Sequence, residues 1–79
     1  MPVYVDDARQ RFGRMIMCHM VADSEDELHA MADRIGVQRR WFHRGHYNIC
    51  QAKRALAVDA GAIEITRRQA ATVRRKTGC

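Results

Sequence analysis

The chain has 79 residues, of which 47% are apolar and 29% charged, with one proline. That is a globular composition with room for one small core, which buries about 60–65% of the surface the unfolded chain exposes. Large multi-step enzymes, two-lobed clefts and repeat arrays are excluded, and no apolar run approaches the ~20 residues of a membrane span. Residues 1–7 hold no basic stretch followed by an apolar one, so no signal peptide is expected and the expected location is cytoplasmic.

The formal net charge of +5 is unevenly placed. Residues 66–79 contain Arg67, Arg68, Arg74, Arg75 and Lys76 and no acid, so the whole excess sits there. Within the rest, Asp23, Glu25, Asp26, Glu27 and Asp33 form an acidic block, and Arg39, Arg40 and Arg44 a basic one. Basic segments suit phosphate backbones or acidic protein surfaces, and equally serve as solvated faces.

In chain order, Val3-Tyr4-Val5 is β-prone and ends in Asp6-Asp7. Ala8 to Gly13 is polar and turn-like. Arg14 to Val21 alternates, with Met15, Met17, His19 and Val21 on one face and Ile16, Cys18 and Met20 on the other. Both faces are largely apolar, which predicts a central strand covered by helices on at least one side. Ser24-Glu25-Asp26-Glu27 is a capping box, and Leu28, Met31, Ala32 and Ile35 follow at helical spacing up to Gly36. A helix over 25–35 is expected. Val37 to Tyr47 has no clean period and reads as a connection with a turn near Gly45. Asn48 is placed to cap a helix from about Ile49 to Ala60, which Gly61 stops. Ala62 to Ile65 is a third short strand. Thr66-Arg67-Arg68-Gln69 is a second capping box, opening a helix to about Lys76.

The expected order is β-β-α-α-β-α. It describes one α+β (or small α/β) domain over residues 1–79, two-layered, with three short strands packed by three helices and a basic C-terminal helix over 66–79. Mixed parallel pairing is expected from the helix–Gly–strand step at Gly61.

Cys18, Cys50 and Cys79 are odd in number and have no C-x-x-C spacing, which argues against a disulfide framework or a Cys-based zinc site. Cys18 reads as a buried small hydrophobe. Cys50 opens a predicted helix, and terminal Cys79 is a candidate for an intermolecular disulfide.

Three constellations could carry chemistry. The first is His19, His29, His43 and His46 with Asp6, Asp7 and Tyr47. Asp6 or Asp7 at a strand end could approach His19, and His43 could join His46 if the loop turns at Gly45. Such a group could bind a divalent metal or activate water. The alternative is a hydrogen-bonded core histidine at 19. The second is the loop Arg39-Arg40-Trp41-Phe42-His43-Arg44-Gly45-His46-Tyr47. Arginines beside aromatics clamp phosphates, stack on bases or form protein hot spots. The alternative is that Trp41 and Phe42 plug the core while the arginines face water. The third is the last helix, where Arg67/Arg74 and Arg68/Arg75 are each two turns apart and, with Lys76, make one broad basic face. No P-loop, G-x-G-x-x-G, G-x-S-x-G or H-E-x-x-H is present.

Val3-Tyr4-Val5-Asp6-Asp7, Cys18-His19-Met20, Glu27-Leu28-His29-Ala30, Ile35-Gly36, His46-Tyr47 and Ala60-Gly61-Ala62, in that order and spacing, resemble a small bacterial and phage family. It is known as domain of unknown function four-zero-three-one. The resemblance covers nearly the whole chain. The family pattern carries a His-Tyr-Asp where this chain has Asn48, which counts against a catalytic role. It implies a phage or mobile-element setting in a bacterial host cell. No cofactor is expected.

The favoured expectation is therefore a non-catalytic binding protein that inhibits or modulates a host nucleic-acid-handling complex. An anti-CRISPR acting on a CRISPR effector complex is one example. Its contacts would be Arg39, Arg40, Trp41, His43, Arg44, Arg67, Arg68, Arg74, Arg75 and Lys76, on an acidic protein surface, a ribonucleoprotein or nucleic acid directly. The alternative is a small metal- or His-dependent enzyme on a phosphate-containing substrate, built on Asp6, His19 and His46. A third possibility is a subunit whose basic face docks on the acidic helix of a neighbouring copy.

Overall fold

The apolar alternation from Met15 to Ala22 forms the strand around which the rest is built. The computed structural model describes residues 2–76, and side chains through residue 74. The elements run β1 (Val3–Val5), β2 (Gln10–Phe12), β3 (Met15–Ala22), α1 (Glu25–Ile35), a 3-10 turn (Arg39–Trp41), β4 (Phe42–His43), β5 (His46–Cys50), α2 (Gln51–Asp59), β6 (Ile63–Glu64) and α3 (Arg67–Lys76). The class is α+β, as expected, with three helices and more strands than three.

The sheet order is β4-β5-β3-β1-β6, and β2 also pairs with β3. β3 is central. Its second half pairs antiparallel with β1 (Val5 opposite Met20), its first half with β2, and its other edge with β5 (His19 opposite Asn48). β6 lies parallel to β1, so the sheet is mixed.

Strand alternation sends Cys18, Met20 and Ala22 to one face with Val3, Val5, Tyr47 and Ile49. Leu28, Ala32 and Ile35 of α1 and Ala57 of α2 close over them to make the core. The opposite face carries His19 and Val21. Val21 and Ala70 are buried outside that core cluster, and α3 packs on β3 there.

α1 has the expected ends. The Ser24 hydroxyl accepts from the Glu27 N–H at 3.3 Å, and Gly36 ends the helix in the left-handed region (φ 81) that costs glycine least. Lys53 of α2 donates to the Ile35 carbonyl at 3.0 Å, placing a cation at the negative end of α1. At α3, the Thr66 N–H donates to Gln69 Oε1 (2.9 Å) and the Gln69 N–H to Thr66 Oγ1 (3.2 Å), a complete capping box. Asp7 Oδ1 accepts from the Arg67 N–H at 3.0 Å, which ties the start of α3 to the end of β1.

Three expectations are corrected. The polar stretch after Ala8 contains a strand, β2, whose residues are all exposed. The span 37–47 contains a hairpin. His43 pairs with His46 across Arg44 (φ 48) and Gly45 (φ 85), a two-residue loop with both φ values positive. β5 then continues through Asn48, so α2 starts at Gln51 and Asn48 does not cap it.

Candidate functional site

Asp6 follows β1, one step beyond the Val5–Met20 pair, so its natural partner across the ladder is His19. Its N–H donates to the His19 carbonyl at 3.0 Å. Its carboxylate is fully buried. Oδ1 accepts from the backbone N–H groups of His19 (2.9 Å) and Ala8 (3.1 Å), and Oδ2 lies 2.6 Å from His19 Nδ1. Arg54 Nε donates to the Asp6 carbonyl at 3.0 Å, and its guanidinium is paired with Glu64.

Burial pushes the Asp6 carboxyl up. The hydrogen bonds from the His19 ring and from the two backbone N–H groups, with the charge of His19, outweigh burial and hold it below the usual carboxylate range. An ionised carboxylate is acceptor-only, so the nitrogen facing it must be a donor. His19 therefore carries its proton on Nδ1. In the neutral ring the lone pair is then on Nε2. The His19 side chain is 18% exposed, so it is open to small partners.

The next histidine comes from the adjacent strand. His46 is buried, with its ring centroid 5.2 Å from that of His19 in edge-on geometry. Its pKa is lowered to about 4, first by burial and then by the charge of Arg74 on α3, with the Arg44 backbone opposing and His19 and His43 adding to the drop. It is neutral at pH 7. Its Nδ1 is buried with no hydrogen-bond partner among the described residues. Exposed His43 stands 5.9 Å from His46, so Asp6, His19, His46 and His43 form a row across the sheet.

The fourth histidine is elsewhere. His29 sits on the helix-covered face, with Nδ1 2.6 Å from the buried Tyr47 hydroxyl and Nε2 3.3 Å from Glu25. The sequence shows both residues but not this pairing, because their contact joins α1 to β5 across the core.

The basic residues divide. Arg39, Arg40, Arg44, Arg67 and Arg68 are exposed. The Arg40 guanidinium lies 5.2 Å from the Trp41 ring centroid. Trp41 is 55% exposed while Phe42 packs on the core, so one of the two aromatics plugs the interior and the other does not. Arg74 is half-buried and acts on His46, so it does not belong to a purely solvated basic row. The side chains of Arg75 and Lys76, and Cys79, lie outside the described residues.

Phe12, Met15, Arg11, Arg40, Trp41 and His43 contribute to a cleft of about 650 Å³ beside the row. Among the described residues no group of three or more His, Cys, Asp or Glu is arranged to hold a metal ion. No helix among them is long and apolar enough to cross a membrane.

No curated protein and no solved structure matches the chain. One family model, described as protein of unknown function (DUF4031), matches residues 3–77, nearly the full length. The chain belongs to that family.

Proposed function

We propose that the protein binds a phosphate-bearing ligand and that His19 serves it as an acid–base group. The observation that carries this reading is the buried Asp6 carboxylate 2.6 Å from His19 Nδ1. A buried carboxylate on Nδ1 fixes ring and tautomer and stabilises the imidazolium formed when Nε2 takes a proton, as in the histidine of hydrolytic triads. Arg74 and the exposed arginines give the surroundings the positive sign that phosphate esters need. In a hydrolysis, Nε2 would take the proton of an attacking water as its oxygen bonds phosphorus. The ester oxygen would leave and receive that proton from the imidazolium. Such proton transfer contributes about 10²–10⁴-fold to a rate.

The test is turnover of a phosphodiester with an aryl leaving group, by wild type and His19→Ala. Loss of about 100-fold or more in the variant, with an unchanged fold, is expected. Equal turnover, or none in the wild type with any phosphoester offered, rejects the reading.

The exposure of Arg39, Arg40, Arg44, Arg67 and Arg68 favours a second reading. There the protein binds without catalysis, as an inhibitor or modulator of a host nucleic-acid-handling complex such as a CRISPR effector in a bacterial cytoplasm. Binding to such a complex that survives His19→Ala and is lost on charge reversal of Arg67 and Arg68 would select it. The converse pattern would discard it.

A further inference from the structure

We propose that the cleft beside the histidine row seats a nucleobase, and that the phosphate-bearing ligand is single-stranded nucleic acid. The inference names the ligand class for the acid–base reading above and rests on it.

The argument begins with what the fold leaves uncovered. A chain of 79 residues with five aromatics needs large side chains in its core, yet Trp41 is 55% and Phe12 70% exposed. Both line the same cleft, with Met15, Met17 and Phe42. Its volume, about 650 Å³, is that of a small-ligand site.

Charge decides the kind of occupant. Among the described residues Arg11, Arg40 and Lys53 line the cleft, and no Asp or Glu does. Aromatic faces beside guanidinium groups are the means by which proteins hold unpaired bases and their phosphates. Gln10, Gln38 and Asn48 add amides able to bond a base edge. A duplex hides its base faces in the stack, so this cleft fits a single strand.

Position supplies the link to chemistry. His43 lines the cleft and also stands 5.9 Å from His46, which stands 5.2 Å from His19. A base on Trp41 would therefore put the neighbouring backbone along the row that ends at the Asp6–His19 pair.

Trp41 is the single tryptophan of the sequence, so its fluorescence reports this cleft alone. The experiment titrates the full chain with a five-nucleotide single strand, the matching duplex and inorganic triphosphate, at two salt concentrations. The single strand should quench Trp41, more weakly at high salt, while triphosphate leaves the emission unchanged. Phe12→Ala and Arg40→Ala, both at exposed positions, should each weaken binding about 5-fold or more.

No quenching by the single strand, equal quenching by triphosphate or by the duplex, or full affinity in both cleft variants would overturn the proposal. The two readings fail separately. Quenching without phosphodiester turnover removes the acid–base role and keeps the cleft. Turnover without quenching does the reverse.

Discussion

Lowering the pH from 7 towards 4 should cost the fold stability through His46. The residue is 6% exposed, and its pKa is about 4 against an ordinary value of 6.5. Burial is the first cause and the charge of Arg74 the second. Between those two values the unfolded chain binds more protons than the folded one, so stability rises with pH across the window. The contribution is complete above pH 6.5 and is lost progressively as the pH falls to about 4. At about 1.4 kcal/mol per pH unit, it reaches about 3 kcal/mol at most. That is a large share of the ~4–12 kcal/mol expected for a chain of this length. Asp6 acts with the same sign further down. Its carboxyl is held below the usual range, so its contribution is lost only as the pH falls below that range.

The assay is urea unfolding at steps from pH 7.5 to 4, on wild type and His46→Phe. Phenylalanine keeps a ring of similar bulk against His19 and His43 and has no proton to bind. The difference between the two curves isolates His46, because every other side chain is the same in both. The wild-type midpoint should fall more steeply than that of the variant between pH 6.5 and 4. Parallel curves would refute the reasoning.

Three further outcomes follow from particular contacts. Asp6→Asn turns an amide N–H towards His19 Nδ1 in place of the carboxylate oxygen and should cost about 1–3 kcal/mol in urea unfolding at pH 7; no loss would mean that the carboxylate does not hold the strand ends. Gly36→Ala forces a Cβ into the left-handed region, where φ is 81, and should cost about 1–2 kcal/mol, since the neighbouring Lys53 Nζ is the movable end of a long side chain. The Cys18 thiol is pushed up to about 11, chiefly by burial, so in the native protein it should resist a thiol reagent that labels the half-buried Cys50; peptide mapping of native and unfolded samples reads this, and equal labelling would contradict it.

The parts of the fold legible in the sequence are those where local chemistry and burial agree. α1 has a cap, an apolar stripe and a terminal glycine, and all three point to the same helix. α3 starts on a capping box that forms as written. β3 showed its central place through apolar residues on both faces. The misreadings have separate causes. β2 is exposed along its length, so it leaves no alternation to detect. The 42–50 hairpin turns at Gly45 as expected, but β4 is only two residues long, Phe42–His43, too short to show an alternation. Asn48 is a good cap by residue type, but it is an exposed residue inside β5, and only pairing with β3 reveals that. For the site, the residue types were visible and the register was not. Asp6, His19 and His46 could be named as candidates, but their approach depends on which residues of three strands stand opposite one another. The role of Arg74 depended on how α3 crosses the sheet, which residue order alone does not state.

The central claim is that Asp6 fixes His19 with its proton on Nδ1 and its lone pair on Nε2. The most direct measurement is the tautomeric state of His19 from nitrogen chemical shifts, in ¹⁵N-labelled protein above neutral pH. The account requires Nδ1 protonated and Nε2 bare, with the preference lost in Asp6→Asn. A His19 protonated on Nε2, or one averaging freely between the two forms in the wild type, would contradict it.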